Sequence, residues 1–408
     1  MRDEGPPPEP TGGEPRKQTA SNSGPELGTN IRIAVVGAGS WGTTVASMLA
    51  ERFDTMVWAL EPQVAEAISV RHENPTYLAG FTLARSLRAT TDLHEVVEDR
   101  QLLVMAVPAQ HMRCVARQLA PLVGSVVVTL SLTKGIELGT LRRPTEILAE
   151  EFGPRHRGRF GVLAGPNLAR EVMAGQPSAT VLAIPDTDIA RWLQALLNNA
   201  HFRVYTSDDV LGCEIGGAVK NVIAIASGVA DGLGYGWNSR AALITRGLAE
   251  LARLGVALGG DPLTFLGLAG NGDLIATCSS PESRNHRVGV ALGQSRTLGD
   301  ILAETNMVPE GVDSTPAVLA LAREAGVEMP VAEQVGAMLA GERSPEAAVA
   351  SLMGRRLTSE LHDLGAVRHQ GFPVTRREPD GTGSGGSLLR RGVGRDGPGA
   401  TLKRKFRS

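Results

Sequence analysis

The segment Ile31-Arg32-Ile33-Ala34-Val35-Val36-Gly37-Ala38-Gly39-Ser40-Trp41-Gly42 constrains the fold more than any other, because a largely apolar run passes directly into a G-x-G-x-x-G turn. Such a run suits a strand covered on both faces of a parallel sheet. Helical spacing takes over from Trp41 to Ala50. In that setting glycines at 37, 39 and 42 allow a sharp turn, a close approach of backbone to a pyrophosphate, and tight packing of helix on strand. The unpaired N–H groups and positive dipole end of the helix point at the same place. A second apolar strand ending near Leu60, with Glu61 roughly twenty residues beyond the turn, completes the βαβ unit of the fingerprint. The expected guest is a dinucleotide.

The strand pattern recurs in Leu102-Leu103-Val104-Met105-Ala106-Val107-Pro108 and in Val126-Val127-Val128-Thr129-Leu130, with helical spacing from His111 to Leu122 between them. Phe160 to Leu163, Thr180 to Ile184 and Phe202 to Tyr205 add further strands, with a turn at Gly165-Pro166-Asn167. This alternation predicts a doubly wound parallel sheet over residues 30–207, with ligands beyond the carboxyl ends of its strands. From Asp208 helix-period patterns dominate and no strand is expected before Glu360, so residues 208–360 form a helical substrate and catalytic domain. The fold class is α/β, an N-terminal Rossmann-type doubly wound sheet followed by an all-α C-terminal domain. Residues 1–29, with Gly5-Pro6-Pro7-Pro8, and residues 361–408, ending in Lys403-Arg404-Lys405-Phe406-Arg407, carry too little apolar surface to fold. They read as a disordered leader and a disordered basic tail.

The charges nearly cancel, 41 Lys and Arg against 43 Asp and Glu, which argues against nucleic acid as a partner. Cys114, Cys213 and Cys278 are far apart, odd in number and without C-x-x-C spacing, as expected in a reducing cytoplasm and with no metal site implied. No uninterrupted apolar run long enough for a bilayer is expected, and no signal-peptide core stands at the start, so stable membrane insertion is not expected.

Two lysines compete with bland alternatives. Lys134 follows a strand end facing the cleft, where it is either a ligand contact or the commoner solvated surface lysine. Lys220 falls midway along a helix expected from Asp208 through Ala230, among Gly216, Gly217, Ala218, Val219, Val222 and Ile223. Either it snorkels to the surface, or it is held in a cleft where desolvation and a second cation lower its pKa.

Several separated stretches together resemble one family. They are Gly37 to Gly42, Ala106-Val107-Pro108, Lys134-Gly135-Ile136-Glu137, Gly165-Pro166, the block Glu214 to Ala224 around Lys220-Asn221, Gly272-Asp273-Leu274, Ser283-Arg284-Asn285 and Pro309-Glu310-Gly311. In this order, between residues 30 and 360, they resemble the bacterial NAD(P)-dependent sn-glycerol-3-phosphate dehydrogenases. The resemblance implies reversible reduction of dihydroxyacetone phosphate to sn-glycerol 3-phosphate, feeding glycerophospholipid synthesis, with NAD(H) or NADP(H). It places Ser40 and Trp41, beside Gly37, Gly39 and Gly42, against the cofactor, Lys134 at both cofactor and substrate, and Ala169 on the cofactor. Gly165 and Asn167 line the substrate site, and Lys220 is the proton donor and acceptor. Asp273, Ser283, Arg284 and Asn285 surround the substrate, while Arg284, Val308 and Glu310 meet the nucleotide. Asp273, after Asn271-Gly272, has a second reading as a helix cap.

Some positions depart from the family. Leu60 stands where relatives usually carry arginine or histidine. Loss of that cation beside Glu61 favours NAD, since a carboxylate accepts from a free 2′-hydroxyl and repels a 2′-phosphate. Asn167 replaces a common serine or threonine, and Trp237-Asn238-Ser239-Arg240 replaces the usual Asp-Asn-Ala-Lys run. Two other functions suit the same two halves: a dehydrogenase of β-hydroxyacids or sugar acids, which would bind a carboxylate in place of a phosphate, and a non-catalytic nucleotide sensor. Lys134, Lys220, Asp273 and Arg284 together speak against the sensor, which has no need of a proton donor. The partner is a small-molecule substrate, and the apolar helices of the second domain offer a homodimer interface.

Overall fold

The computed structural model describes residues 30–304 and 309–357. Val308, the leader and the tail therefore lie outside the described residues. Eight strands form one sheet: β1 (Arg32–Val36), β2 (Asp54–Trp58), β3 (Arg88–Thr90), β4 (Leu102–Met105), β5 (Val128–Ser131), β6 (Phe160–Ala164), β7 (Ser178–Ala183) and β8 (Phe202–Ser207). Their order is β3-β2-β1-β4-β5-β6-β7-β8. Alternation along β1 shows why it lies inside. Ile33 and Val35 face one core with Val45 and Leu49 of α1 (Ser40–Ala50). Ala34 and Val36 face a second core with Met112, Ala116 and Leu119 of α2 (Ala109–Leu119) and Ile147 and Leu148 of α3 (Pro144–Phe152). Cover on both faces is what an uninterrupted apolar strand requires.

Strands β1 to β6 run parallel. The sheet is not parallel throughout, however: β7 is antiparallel to β6, and β8 runs with β7. Between β6 and β7 the chain turns at Gly165 (φ +145°) and Gly175 (φ +72°) around a five-residue helix, Ala169–Met173, so it folds back instead of making a full crossover. Strand β3 was not expected either, because Arg88-Ala89-Thr90 pairs at the sheet edge with β2 alone and has no apolar run to announce it.

After β8 the described chain is helical. Helix α4 (Val210–Gly232) is central, with every residue from Gly212 to Ala230 buried. Around it pack Leu251 and Leu254 of α5 (Trp237–Ala257), Leu274 of α6 (Asp273–Ser279), Val288 and Leu292 of α7 (Arg284–Gly293), and Ala317 and Val318 of α8 (Glu310–Glu324). Although Glu214 and Lys220 interrupt its apolar run, α4 is long and apolar enough to cross a membrane by length and composition. Its apolar window is 89% buried within the protein, so it serves here as a core helix, apolar except where Glu214, Lys220, Asn221 and Ser227 find buried partners. Helices α4 and α7 meet along glycines. A Cβ on Gly228 would lie 2.0 Å from the His286 carbonyl oxygen, and one on Gly289 2.0 Å from that of Ile225. Gly232 and Gly293 repeat the contact a turn later, at 2.3 Å from the Val290 oxygen and 2.5 Å from the Val229 oxygen. The two halves share a small apolar contact in which Cys213 packs with Val162, Ala164 and Ala183.

Candidate active site

A cavity of about 760 Å³ opens at the glycine turn, walled by residues 37–42, Leu60, Glu61, Asn167, Ala169, Arg284 and Glu310. Gly37 adopts φ +116°, and a Cβ there would lie 2.6 Å from the Ala106 carbonyl oxygen; one on Gly42 would fall 2.0 Å from that of Gly37. Helix α1 is preceded by Gly39, which has no side chain to cap it, and this leaves its first N–H groups for a ligand. Two buried polar atoms of the wall, Nε1 of Trp41 and Oδ1 of Asn167, have no hydrogen-bond partner among the described residues. Buried polar atoms are normally satisfied, and a bound nucleotide or substrate would do so here. The residues present fit a dinucleotide. Ser40 Oγ donates to the Tyr77 carbonyl at 2.5 Å, and the Tyr77 hydroxyl donates to Glu61 Oε1 at 2.7 Å. That bond, with burial, pushes the Tyr77 phenol up to about 12. Asn167 Nδ2 donates to Thr180 Oγ1 at 2.9 Å.

Beside Gly165 lies an ionic centre. Lys220 Nζ donates to Asp273 Oδ1 at 2.5 Å and to Thr277 Oγ1 at 2.6 Å. Lys134 Nζ donates to Asp273 Oδ2 at 2.8 Å and to the Gly165 carbonyl at 3.2 Å. One carboxylate, 1% exposed, thus bridges two ammonium groups, one from each half of the molecule. This overturns the surface reading of Lys134 and the cap reading of Asp273, which stands first in α6 with its carboxylate turned to the lysines. Burial lowers Lys220 to about 8; Asp273 opposes the shift and Lys134 adds to it. Sequence reasoning missed Thr277, although its place four residues after Asp273 puts both on one helix face.

Local sequence explains how the centre is assembled. The aliphatic stem of Lys134 lies across α4 at Gly217, where a Cβ would meet its Cγ at 3.4 Å. At Gly216 the Ala269 carbonyl comes so close that a Cβ there would lie 2.8 Å from its oxygen. Six residues before Lys220, buried Glu214 accepts from the Thr145 backbone N–H at 2.8 Å, the Thr145 hydroxyl at 2.7 Å and Arg143 Nη1 at 2.5 Å. Burial raises the Glu214 carboxyl, and Arg143 and Thr145 oppose it. Glu214 was not among the expected functional residues, since nothing near it in sequence shows what it meets.

The Ser283-Arg284-Asn285 motif begins α7. Ser283 Oγ caps the helix by accepting from the His286 N–H at 3.2 Å. Asn285 donates to Asn221 Oδ1 at 2.9 Å and accepts from the Gly311 N–H at 2.9 Å, tying α7 to α4 and α8. Arg284 and Glu310 face the cavity. Burial pushes the Glu310 carboxyl up to about 7 against the pull of Arg284, Lys134 and Lys220.

A family model described as NAD-dependent glycerol-3-phosphate dehydrogenase N-terminus matches residues 32–190, and its C-terminus counterpart matches residues 209–350. The NAD(P)+ glycerol-3-phosphate dehydrogenase 2 of Sphingopyxis alaskensis is 48% identical over 332 residues, which is 81% of this chain and 99% of that protein. The corresponding enzyme of Streptomyces coelicolor is 48% identical over 333 residues, 81% of this chain and 98% of that one. The crystal structure of glycerol-3-phosphate dehydrogenase from Coxiella burnetii superposes with a TM-score of 0.76 at 36% identity, covering 80% of this chain and 100% of that one. Matched along both its sheet and its helical half, the chain belongs to the NAD-dependent glycerol-3-phosphate dehydrogenases.

Proposed function

We propose that the protein catalyses the reversible reduction of dihydroxyacetone phosphate to sn-glycerol 3-phosphate in the cytoplasm, feeding glycerophospholipid synthesis. The observation that carries this reading is the buried ammonium of Lys220, held by Asp273 and Thr277 and linked through Asp273 and Lys134 to Gly165, two residues before Asn167 in the wall of a cavity that fits a dinucleotide. A nicotinamide dinucleotide held at the glycine turn by residues 37–42 would supply the hydride in one direction and take it in the other. As the ketone carbon is reduced, its oxygen gathers negative charge, and Lys220 stabilises that charge and donates the proton not committed to Asp273 or Thr277. In the oxidation of glycerol 3-phosphate the neutral amine takes the proton back. Burial near a second cation brings Lys220 close to the working pH, which is where acid and base roles are interchangeable. Arg284 supplies charge for the phosphate. The unpartnered Oδ1 of Asn167 accepts from a substrate hydroxyl.

NAD(H) is favoured over NADP(H). Leu60 is 71% exposed and brings no cation to the wall, and Glu61 follows the end of β2, where such folds place the adenosine ribose. Exposed Trp237, Leu263 and Leu266 on the helical half suit a homodimer contact. The test is loss of NADH absorbance on adding dihydroxyacetone phosphate, with glycerol 3-phosphate formed in equal amount. Absence of turnover, or equal turnover of phosphate-free 3-hydroxyacids, would overturn the substrate assignment; a strong kcat/KM preference for NADPH would overturn the cofactor assignment.

A further inference from the structure

The segment Asn74-Pro75-Thr76-Tyr77-Leu78 touches both ends of the cofactor cleft. Asn74 is fully buried, and its Nδ2 donates to the Ala38 carbonyl at 2.8 Å and to Thr43 Oγ1 at 2.9 Å, gripping the glycine turn from below. Its Oδ1 accepts from the Tyr77 N–H at 3.1 Å. Tyr77 then takes Ser40 Oγ on its carbonyl and gives its own hydroxyl to Glu61 Oε1. Hydrogen bonds therefore run without a break from the pyrophosphate turn to the carboxylate at the end of β2. Glu61 itself stands at the start of a short helix, Pro62–Glu66, and makes no side-chain capping bond there. A carboxylate on such a terminus has several rotamers, and the Tyr77 hydroxyl selects one of them.

We propose that Tyr77 is a specificity-determining residue that acts through Glu61: it holds one carboxylate oxygen so that the other is presented to the 2′ position of the adenosine ribose. The inference rests on the reading of Glu61 as the group that favours NAD. A fixed carboxylate accepts from a 2′-hydroxyl at no cost in side-chain ordering and cannot swing aside for a 2′-phosphate. A loose one loses on both counts. The bond also keeps the tyrosine protonated and donating throughout the working pH range.

The experiment compares kcat/KM for NADH and for NADPH in the wild type, Tyr77→Phe, Glu61→Gln and the double variant. Tyr77→Phe keeps the backbone carbonyl used by Ser40 and removes one hydroxyl. The expected result is a fall of about fivefold in the NADH to NADPH ratio, carried by KM for NADH with kcat unchanged. Glu61→Gln lowers the ratio about tenfold, and adding Tyr77→Phe to it changes nothing further, because a residue acting through Glu61 has no effect once that carboxylate is gone. An unchanged ratio in Tyr77→Phe while Glu61→Gln lowers it, or full additivity in the double variant, would overturn the role of Tyr77 and leave that of Glu61 standing. An unchanged ratio in Glu61→Gln would overturn the reading of Glu61 and Tyr77's role with it.

Discussion

Lys220 holds its proton loosely, as the proposed donor must, because three surroundings act on one nitrogen: burial and Lys134 loosen the proton, and Asp273 retains it. Replacing Lys220 by alanine lowers kcat about a thousandfold while NADH binding, followed by fluorescence titration, stays near wild type. With a pKa of about 8 the pH dependence has opposite signs in the two directions. Glycerol 3-phosphate oxidation needs the neutral amine, so its kcat/KM rises with pH and levels off above about 8. Reduction of dihydroxyacetone phosphate needs the ammonium and falls across the same range; initial rates in both directions check this. Lys220 could be singled out in the sequence because a lysine amid small apolar residues is anomalous. Lys134 could not, since what distinguishes it is a contact with Asp273, 139 residues away, and surface lysines share its local sequence. Tyr77, Thr277 and Glu214 were invisible for the same reason: each looks ordinary until its distant partner is known.

Helix pairing between α4 and α7 depends on backbone touching backbone. A methyl group on Gly289 would meet the Ile225 carbonyl at 2.0 Å, and neither atom belongs to a flexible side chain that could yield. Gly289→Ala therefore destabilises the fold by about 1–3 kcal/mol, read from the urea midpoint at unchanged m-value. It also raises KM for dihydroxyacetone phosphate, because displacement of α7 carries Arg284 with it. The elements themselves were largely legible. Strands β1, β4 and β5 are apolar on both faces and so read as unbroken runs, and the extent of α4 followed from its small apolar residues. Direction was not legible at β7, because antiparallel and parallel strands covered on both sides have similar sequences and the choice was made by the turns at Gly165 and Gly175. The brevity of β3 hid it altogether.

Across the whole molecule, Lys134 from the sheet half and Lys220 from the helical half share one carboxylate, so under the proposed mechanism the joint between halves bears on the reactivity of both. Glu214 is one part of that joint, beside the Cys213 contact, and takes three donors from the segment that begins α3. Glu214→Ala strands those donors and lets Lys134 and water move. Both changes raise the Lys220 pKa from about 8 towards its ordinary 10.5. The alkaline rise of glycerol 3-phosphate oxidation then shifts to higher pH and kcat falls, whereas Glu214→Gln, which keeps an acceptor, recovers part of both. A joint that merely stabilised the fold would lower the melting temperature and leave the profile in place.

The glycine seam has a mechanical consequence. Where Gly228 meets Gly289 and Gly232 meets Gly293, backbone lies on backbone with no side chain to act as a cushion, so α4 and α7 resist sliding and Lys220 and Arg284 are carried on one closely packed pair. The distance between those two groups is built in before any substrate arrives, like the gap of a fixed caliper. Whatever breathing admits and releases ligands must take place on the nucleotide side of that caliper, where the sheet half meets it.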